Sequence, residues 1–292
     1  MNTRNTTTAR TRDAATAAQV PAKTEGQNLP AHLRTAVTAD AGKGISNSAD
    51  DSLVPIIVVL QGQSPQTMKP KPEYIKDAVP GAIWLRNSAL PIRESILVQP
   101  CYFYKSIGEW IPRNPDGSGG GFVAMHDWSE DWTKKLNLKE VEDRDGNKRW
   151  MDQNEEHEFV EARNHVVIVH NDDGSAAQYL IPLSGSGHSV SRQWMFMMRN
   201  KTVDGAQIPS WAVMYRLKTI MRTKGKNNWY VLDPHEGSEE GTLWATEAQY
   251  AEGKKLHEAF AAGLKKADMT SDAAPVPTGA GDKTAAAAKA GI

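Results

Sequence analysis

The chain has 292 residues, a formal net charge of −1 and a single cysteine, Cys101. One thiol excludes an internal disulfide framework and a cysteine zinc cluster, and no apolar run reaches the ~18 residues of a membrane span. Residues 1–49 and 269–292 hold too few large apolar side chains to offset the entropy of ordering. They are predicted to be disordered tails around one ordered domain, residues 50–268. The basic N-terminus lacks an apolar segment behind it and is not a secretory signal, so a soluble intracellular protein is expected.

In chain order, the run Leu53–Leu60 fits a buried strand or a short helix beginning near Pro55. A Pro-rich stretch with the pair Pro80–Gly81 marks loop and turn, and Ile83–Arg86 a short strand. Ser95–Tyr104 is β-rich, with Pro100 forcing an edge or a bulge. Asn114–Gly121 is a flexible loop; Phe122 stands where a phosphate-cradling loop needs Gly-Lys-Ser/Thr. Asp127–Glu161 holds twelve acids against six bases and turns at Asp145–Gly146 as a hairpin. The strand His165–His170 forms a second hairpin through Asp173–Gly174 into Ala177–Leu183.

A short helix over residues 192–201 is capped by Ser189 or Ser191, and its spacing gathers Arg192, Phe196 and Arg199. Trp211–Met221 alternates as a strand, with Val213, Tyr215 and Leu217 on one side and Met214, Arg216 and Lys218 on the other. Thr223–Asn228 is a basic hairpin tip, followed by the strand Trp229–Leu232. A closing helix starts at the capping box Thr246/Gln249, carries Leu256, Phe260 and Leu264 as its apolar stripe, and ends near Lys265 and Lys266. The expected fold is α+β, mostly antiparallel β: an OB-like curved sheet or barrel with a short internal helix and a C-terminal helix.

Between Arg192 and Tyr230 lie eight Lys or Arg and one acid, Asp204, interleaved with Trp194, Phe196, Trp211, Tyr215, Trp229 and Tyr230. Cations that follow phosphates and rings that stack on bases are what single-stranded nucleic acid requires. The competing reading places the rings in the core and the charges on a solvated face. The candidate nucleic-acid-binding residues are Tyr104, Lys105, Trp110, Arg113, Arg192, Trp194, Arg199, Lys201, Tyr215, Arg216, Lys218, Arg222, Lys224, Lys226, Trp229 and Tyr230. The acidic Asp127–Glu161 block is placed to mask the basic one until DNA displaces it.

Catalysis is not expected. His165 and His170, five apart on a strand, point to opposite faces. The segment GSGHS (residues 185–189) lacks the spacing of a nucleophile elbow. His170–Asp173 is explained by a polar turn rather than a metal-dependent nuclease, and Cys101 by packing. No catalytic residue, cofactor or metal is predicted.

The motif order also resembles a known family. Asp50 and Asp51 precede an apolar run and Gln63-Ser64-Pro65; then come Tyr74, Ala78, Pro80 and Gly81, and the strand reaching Glu109-Trp110. Gly119–Phe122, Ser191-Arg192-Gln193-Trp194 and Asn228-Trp229-Tyr230 follow. Across residues 50–265 this is similar to tailed-bacteriophage single-stranded-DNA-binding proteins of OB-like fold, accessories of replication and recombination. The resemblance implies a non-catalytic protein that coats single-stranded DNA in the cytoplasm of an infected bacterial host. Its partners would be phage replication or recombination proteins, or a second copy in a homo-oligomer, with no membrane. It also implies that Trp110, Arg113, Arg192, Trp194, Trp229 and Tyr230 occupy the family's recurrent positions. The Ala-rich C-terminal residues depart from the acidic tail with which many such proteins recruit partners. The alternatives are a protein-interaction or virion-associated module and, less favoured, a metal-dependent DNA-processing enzyme.

Overall fold

A computed structural model of the protein describes residues 53–88, 91–113, 119–142, 146, 148–264 and 266–267, all within the compact unit Asn47–Ile292. The two predicted tails lie outside the described residues, as do most of the Asn114–Gly121 loop and Asp145.

Two long strands form the frame, β5 (Ile96–Arg113) and β9 (Glu158–His170), antiparallel from Leu97↔His170 to Trp110↔Glu158. Each is shared by two limbs of one sheet. In the upper limb, β5 pairs with β13 (Val213–Lys224), which pairs with β14 (Asn227–Glu236), while β9 pairs with β10 (Ala176–Ser184). In the lower limb, β5 pairs with β6 (Gly119–Asp127), and β9 with the hairpin β7 (Lys139–Glu142) and β8 (Lys148–Met151). A short helix, α1 (Trp132–Lys135), precedes β7.

The N-terminal strands β1 (Leu53–Val54), β2 (Ile57–Val59), β3 (Ile83–Leu85) and β4 (Ile92–Arg93) come first, with β2, β3 and β4 in a separate antiparallel sheet. Strand β2 touches both β10 and β14, so the upper limb curls into a half-barrel closed over by β2 and the helix α2 (Gly187–Arg199). Small pairs complete the chain: β11 (Thr202–Val203) with β12 (Ala206–Gln207), and β15 (Leu243–Trp244) with β13. The helix α3 (Glu247–Ala261) closes it, and β16 (Lys266–Ala267) lies parallel to β1.

The side-chain alternation of β9 explains its uninterrupted apolar run. Val167 and Val169 join the core under α2, with Tyr215, Leu217, Val190 and Trp194. Val166 and Ile168 face the other way, onto Leu256 and Phe260 of α3. At Pro100, which has no N–H for the ladder, the register slips and Cys101 is the extra residue of a β-bulge. Its thiol is buried in the α3-side core, and burial pushes its pKa up to about 12.

The mostly antiparallel β fold, the Pro100 bulge, both hairpins and the Thr246/Gln249 capping box are as expected. Other boundaries moved. The run from Leu53 makes two strands broken at Pro55, which has no N–H for a ladder; its O accepts from the Leu180 N–H beside a parallel Ile56↔Leu180 bridge. Gly119–Gly121 belong to β6 rather than to a loop. Helix α2 begins at Gly187, five residues early, behind an N-cap Ser186 whose side chain makes no cap bond. Helix α3 stops at Ala261, so Leu264 is exposed rather than in the stripe. Lys266 lies in β16, and Lys265 falls outside the described residues.

Candidate nucleic-acid interface

Helix α2 buries Val190, Trp194 and Met198, spaced one turn apart, against the half-barrel. That phase leaves Arg192, Phe196 and Arg199 on the opposite stripe, where all three are exposed. Phe196 is 68% exposed, with a cation one turn away on either side. The β13–β14 hairpin reaches the same stripe, since Arg222 Nη1 donates to Ser189 Oγ at 3.2 Å. Beyond Arg222 the hairpin tip carries Lys224 and Lys226, both exposed. Five predicted cations, Arg192, Arg199, Arg222, Lys224 and Lys226, therefore belong to α2 and the hairpin tip that contacts its first turn, two of them flanking the exposed ring.

The hairpin is held from its other side. Thr219 Oγ1 donates to Gly81 O at 2.6 Å, and the Tyr230 ring lies where a Cβ on Gly81 would be, at 2.7 Å. The Gln61 side chain donates to Tyr230 O and accepts from Tyr230 N, each at 2.9 Å, substituting for a neighbouring strand at the β14 edge.

The remaining predicted residues lie elsewhere or are already engaged. Trp194 and Tyr215, proposed as stacking rings, are corrected to core. They are 0% and 1% exposed; Trp194 stacks on His165 at 4.7 Å and meets Tyr215 edge-on at 6.1 Å. Burial raises the Tyr215 pKa and holds His165, beside Arg163, down to about 3. Trp229 packs partly buried against this core, and Tyr230 packs against Gly81, so both rings are half-buried and partly engaged in the fold. Lys201 is tied to Glu236 at 2.8 Å and Thr242 Oγ1 at 2.6 Å. Lys218 stands across the strand pair from Asp233. Arg216 looks into a separate cleft.

Tyr104, Lys105, Trp110 and Arg113 belong to the middle and lower part of β5. Tyr104 packs onto the α3 side, where burial pushes its pKa up to about 12. Lys105 Nζ sits 3.7 Å over the Trp128 ring and 4.0 Å from Glu161. Trp110 meets Phe122 edge-on at 5.2 Å. It stands seven residues, ~23 Å of strand, beyond Phe103, which pairs with His165 under α2. Arg113 is described in its backbone alone, paired with Gly119.

The acidic block does not cover the basic stripe through the carboxylates whose partners are seen. Lys148 pairs with Glu140, Lys139 with Glu155 and Arg149 with Glu158, all within the lower limb. Glu109 takes His126 on one oxygen at 2.7 Å and His157 on the other at 2.5 Å. His165 and His170 do face opposite ways, the first toward Ser191 at 2.9 Å and the second toward Gln99 at 3.1 Å.

The residue that the candidate set missed is Phe196. The size of a tryptophan favours its burial, and Trp194 takes the core side of α2 while Phe196 takes the outer one. The signal was the helical phase, which sets Phe196 about 200° from Trp194.

Residues 23–266 match the Pam3 phage gp34-like protein family, and the chain belongs to it. This makes it a phage protein. No curated protein and no solved structure matches it. No helix among the described residues is long and apolar enough to cross a membrane.

Proposed function

We propose that the protein binds single-stranded DNA without catalysis, protecting it during phage replication or recombination in the host cytoplasm. The curled sheet would act as an OB-like platform, with the outer stripe of α2 and the β13–β14 tip as contact surface. The observation that carries this reading is Phe196: an exposed ring between Arg192 and Arg199 on one stripe, with Arg222 brought to that stripe through Ser189. A base stacked on a ring contributes ~1–3 kcal/mol, and the arginines follow the backbone on either side. Fluorescence anisotropy of a labelled dT oligonucleotide, with duplex DNA as competitor, tests it. Phe196→Ala should weaken single-strand binding several-fold while duplex competes poorly. Equal affinity of the wild-type protein and Phe196→Ala would refute it.

A second reading has support of its own. Ile220 and Met221 are 45% and 52% exposed near the same tip, and an aromatic–Arg–aliphatic surface also suits a contact between two copies of the chain. Sedimentation at low salt distinguishes the two. A dimer that Phe196→Ala dissociates, with no DNA binding, would favour the second.

A further inference from the structure

A cleft of about 560 Å3 opens where the start of β5, the end of β9 and the start of β10 meet β13. This is the size of a small-molecule site. Arg216 of β13 and Arg93 of β4 both line it. Arg216 is half-buried, and no carboxylate pairs with it among the described residues. A guanidinium partly withdrawn from water without a partner is costly, and its planar fork of donors matches phosphate oxygens. Arg93 donates to Asn171 Oδ1 at 3.4 Å, which ties it to the β9–β10 turn at the rim.

The other polar groups give the cleft a second chemistry. The Gln99 amide donates to Trp211 O at 2.7 Å and to Gln249 O at 2.9 Å, so its Oε1 accepts from His170 Nε2 at 3.1 Å. That bond fixes the tautomer, and burial lowers the His170 pKa despite Glu252 nearby. The neutral ring keeps Nδ1 as an acceptor, and His170 is among the residues lining the cleft. Two acids stand at the rim, Asp172 and Asp173. Asp173 accepts from Ser175 N at 2.9 Å and Ser175 Oγ at 2.6 Å. These bonds, with the Arg93 charge, hold its carboxyl below the usual range, so a phosphate must compete with it for Arg93.

We propose that this cleft binds the phosphomonoester of a nucleotide, Arg216 and Arg93 holding the phosphate. The ligand is either a free mononucleotide or the phosphorylated end of a strand. The site stands apart from the α2 surface and does not depend on it.

Calorimetric titration of the full chain with dTMP, thymidine, and two dT oligonucleotides differing only in a 5′-phosphate tests this. The expected result is dTMP binding with thymidine about tenfold weaker or worse, and a similar loss in Arg216→Gln. A 5′-phosphate that strengthens oligonucleotide binding identifies a strand end; dTMP binding without that preference identifies a free nucleotide. The hydroxyl-ended oligonucleotide reports on the α2 surface alone, and Arg216→Gln leaves its affinity unchanged. Should Arg216→Gln lower the melting temperature, Arg93→Gln replaces it. The proposal is overturned if neither dTMP nor the 5′-phosphate produces binding, or if a normally melting arginine variant binds both as the wild type does.

Discussion

Trp194 and Phe196 are two residues apart on α2, and their environments are opposite. Trp194 is sealed between His165 and Tyr215, whereas Phe196 projects into solvent. Trp194→Ala should therefore destabilise the fold by ~3–5 kcal/mol, read from urea unfolding, because it leaves a large cavity. Phe196→Ala should change stability by less than ~0.5 kcal/mol and lower DNA affinity instead. Beneath Trp194, His165 is held neutral, its pKa about 3 against an ordinary 6.5. Below pH ~6.5 the unfolded chain takes up a proton that the native state refuses. Stability is then full above that pH and falls by ~1.4 kcal/mol per unit as the pH drops towards 3, with His170 adding in the same direction. Urea midpoints at pH 7 and pH 5 check this, and His165→Gln should flatten the slope by about one proton. These assignments were only half legible in the sequence. Alternation placed Tyr215 with Leu217 and separated His165 from His170, but a residue pattern does not say which cover lies on which face.

At the scale of elements, the periodic and capped segments were readable because their signals are local. The box Thr246/Gln249 fixes the start of α3, and Pro100 its bulge. The joining of the elements was not readable, since it depends on non-local groups. Gln61 satisfies the β14 edge from 169 residues away in sequence. Gln61→Ala should cost ~1–3 kcal/mol by leaving the Tyr230 N–H and C=O without their partner. Gly253 is a second such joint. A Cβ there would lie 2.7 Å from Gln99 Nε2 and 2.7 Å from the Trp211 Cβ. Gly253→Ala, worth ~1 kcal/mol to an isolated helix, should instead lower the unfolding midpoint here, because α3 must withdraw from the sheet. A raised midpoint would show that the helix accommodates the methyl group in place.

At the scale of the molecule, a net charge of −1 hides a division of labour. The lower limb pairs its carboxylates locally, as in Lys148–Glu140 and Arg149–Glu158, while α2 and the hairpin tip present Arg192, Arg199, Lys224 and Lys226 to solvent. It is this local field, not the sum, that would draw in a polyanion. The basic block was visible in the sequence; its division into a surface set, a structural pair at Lys201 and a cleft arginine at Arg216 needed the folded chain. The measurement that bears most directly on the proposed function is the affinity for a labelled dT oligonucleotide, by anisotropy, across a range of salt concentrations. The wild-type protein should lose affinity steeply with salt, and Arg192→Gln/Arg199→Gln should reduce the slope of log K against log salt by ~1.4, the value for two phosphate contacts on a single strand. A salt-independent affinity, or a slope that the double variant leaves unchanged, would contradict it.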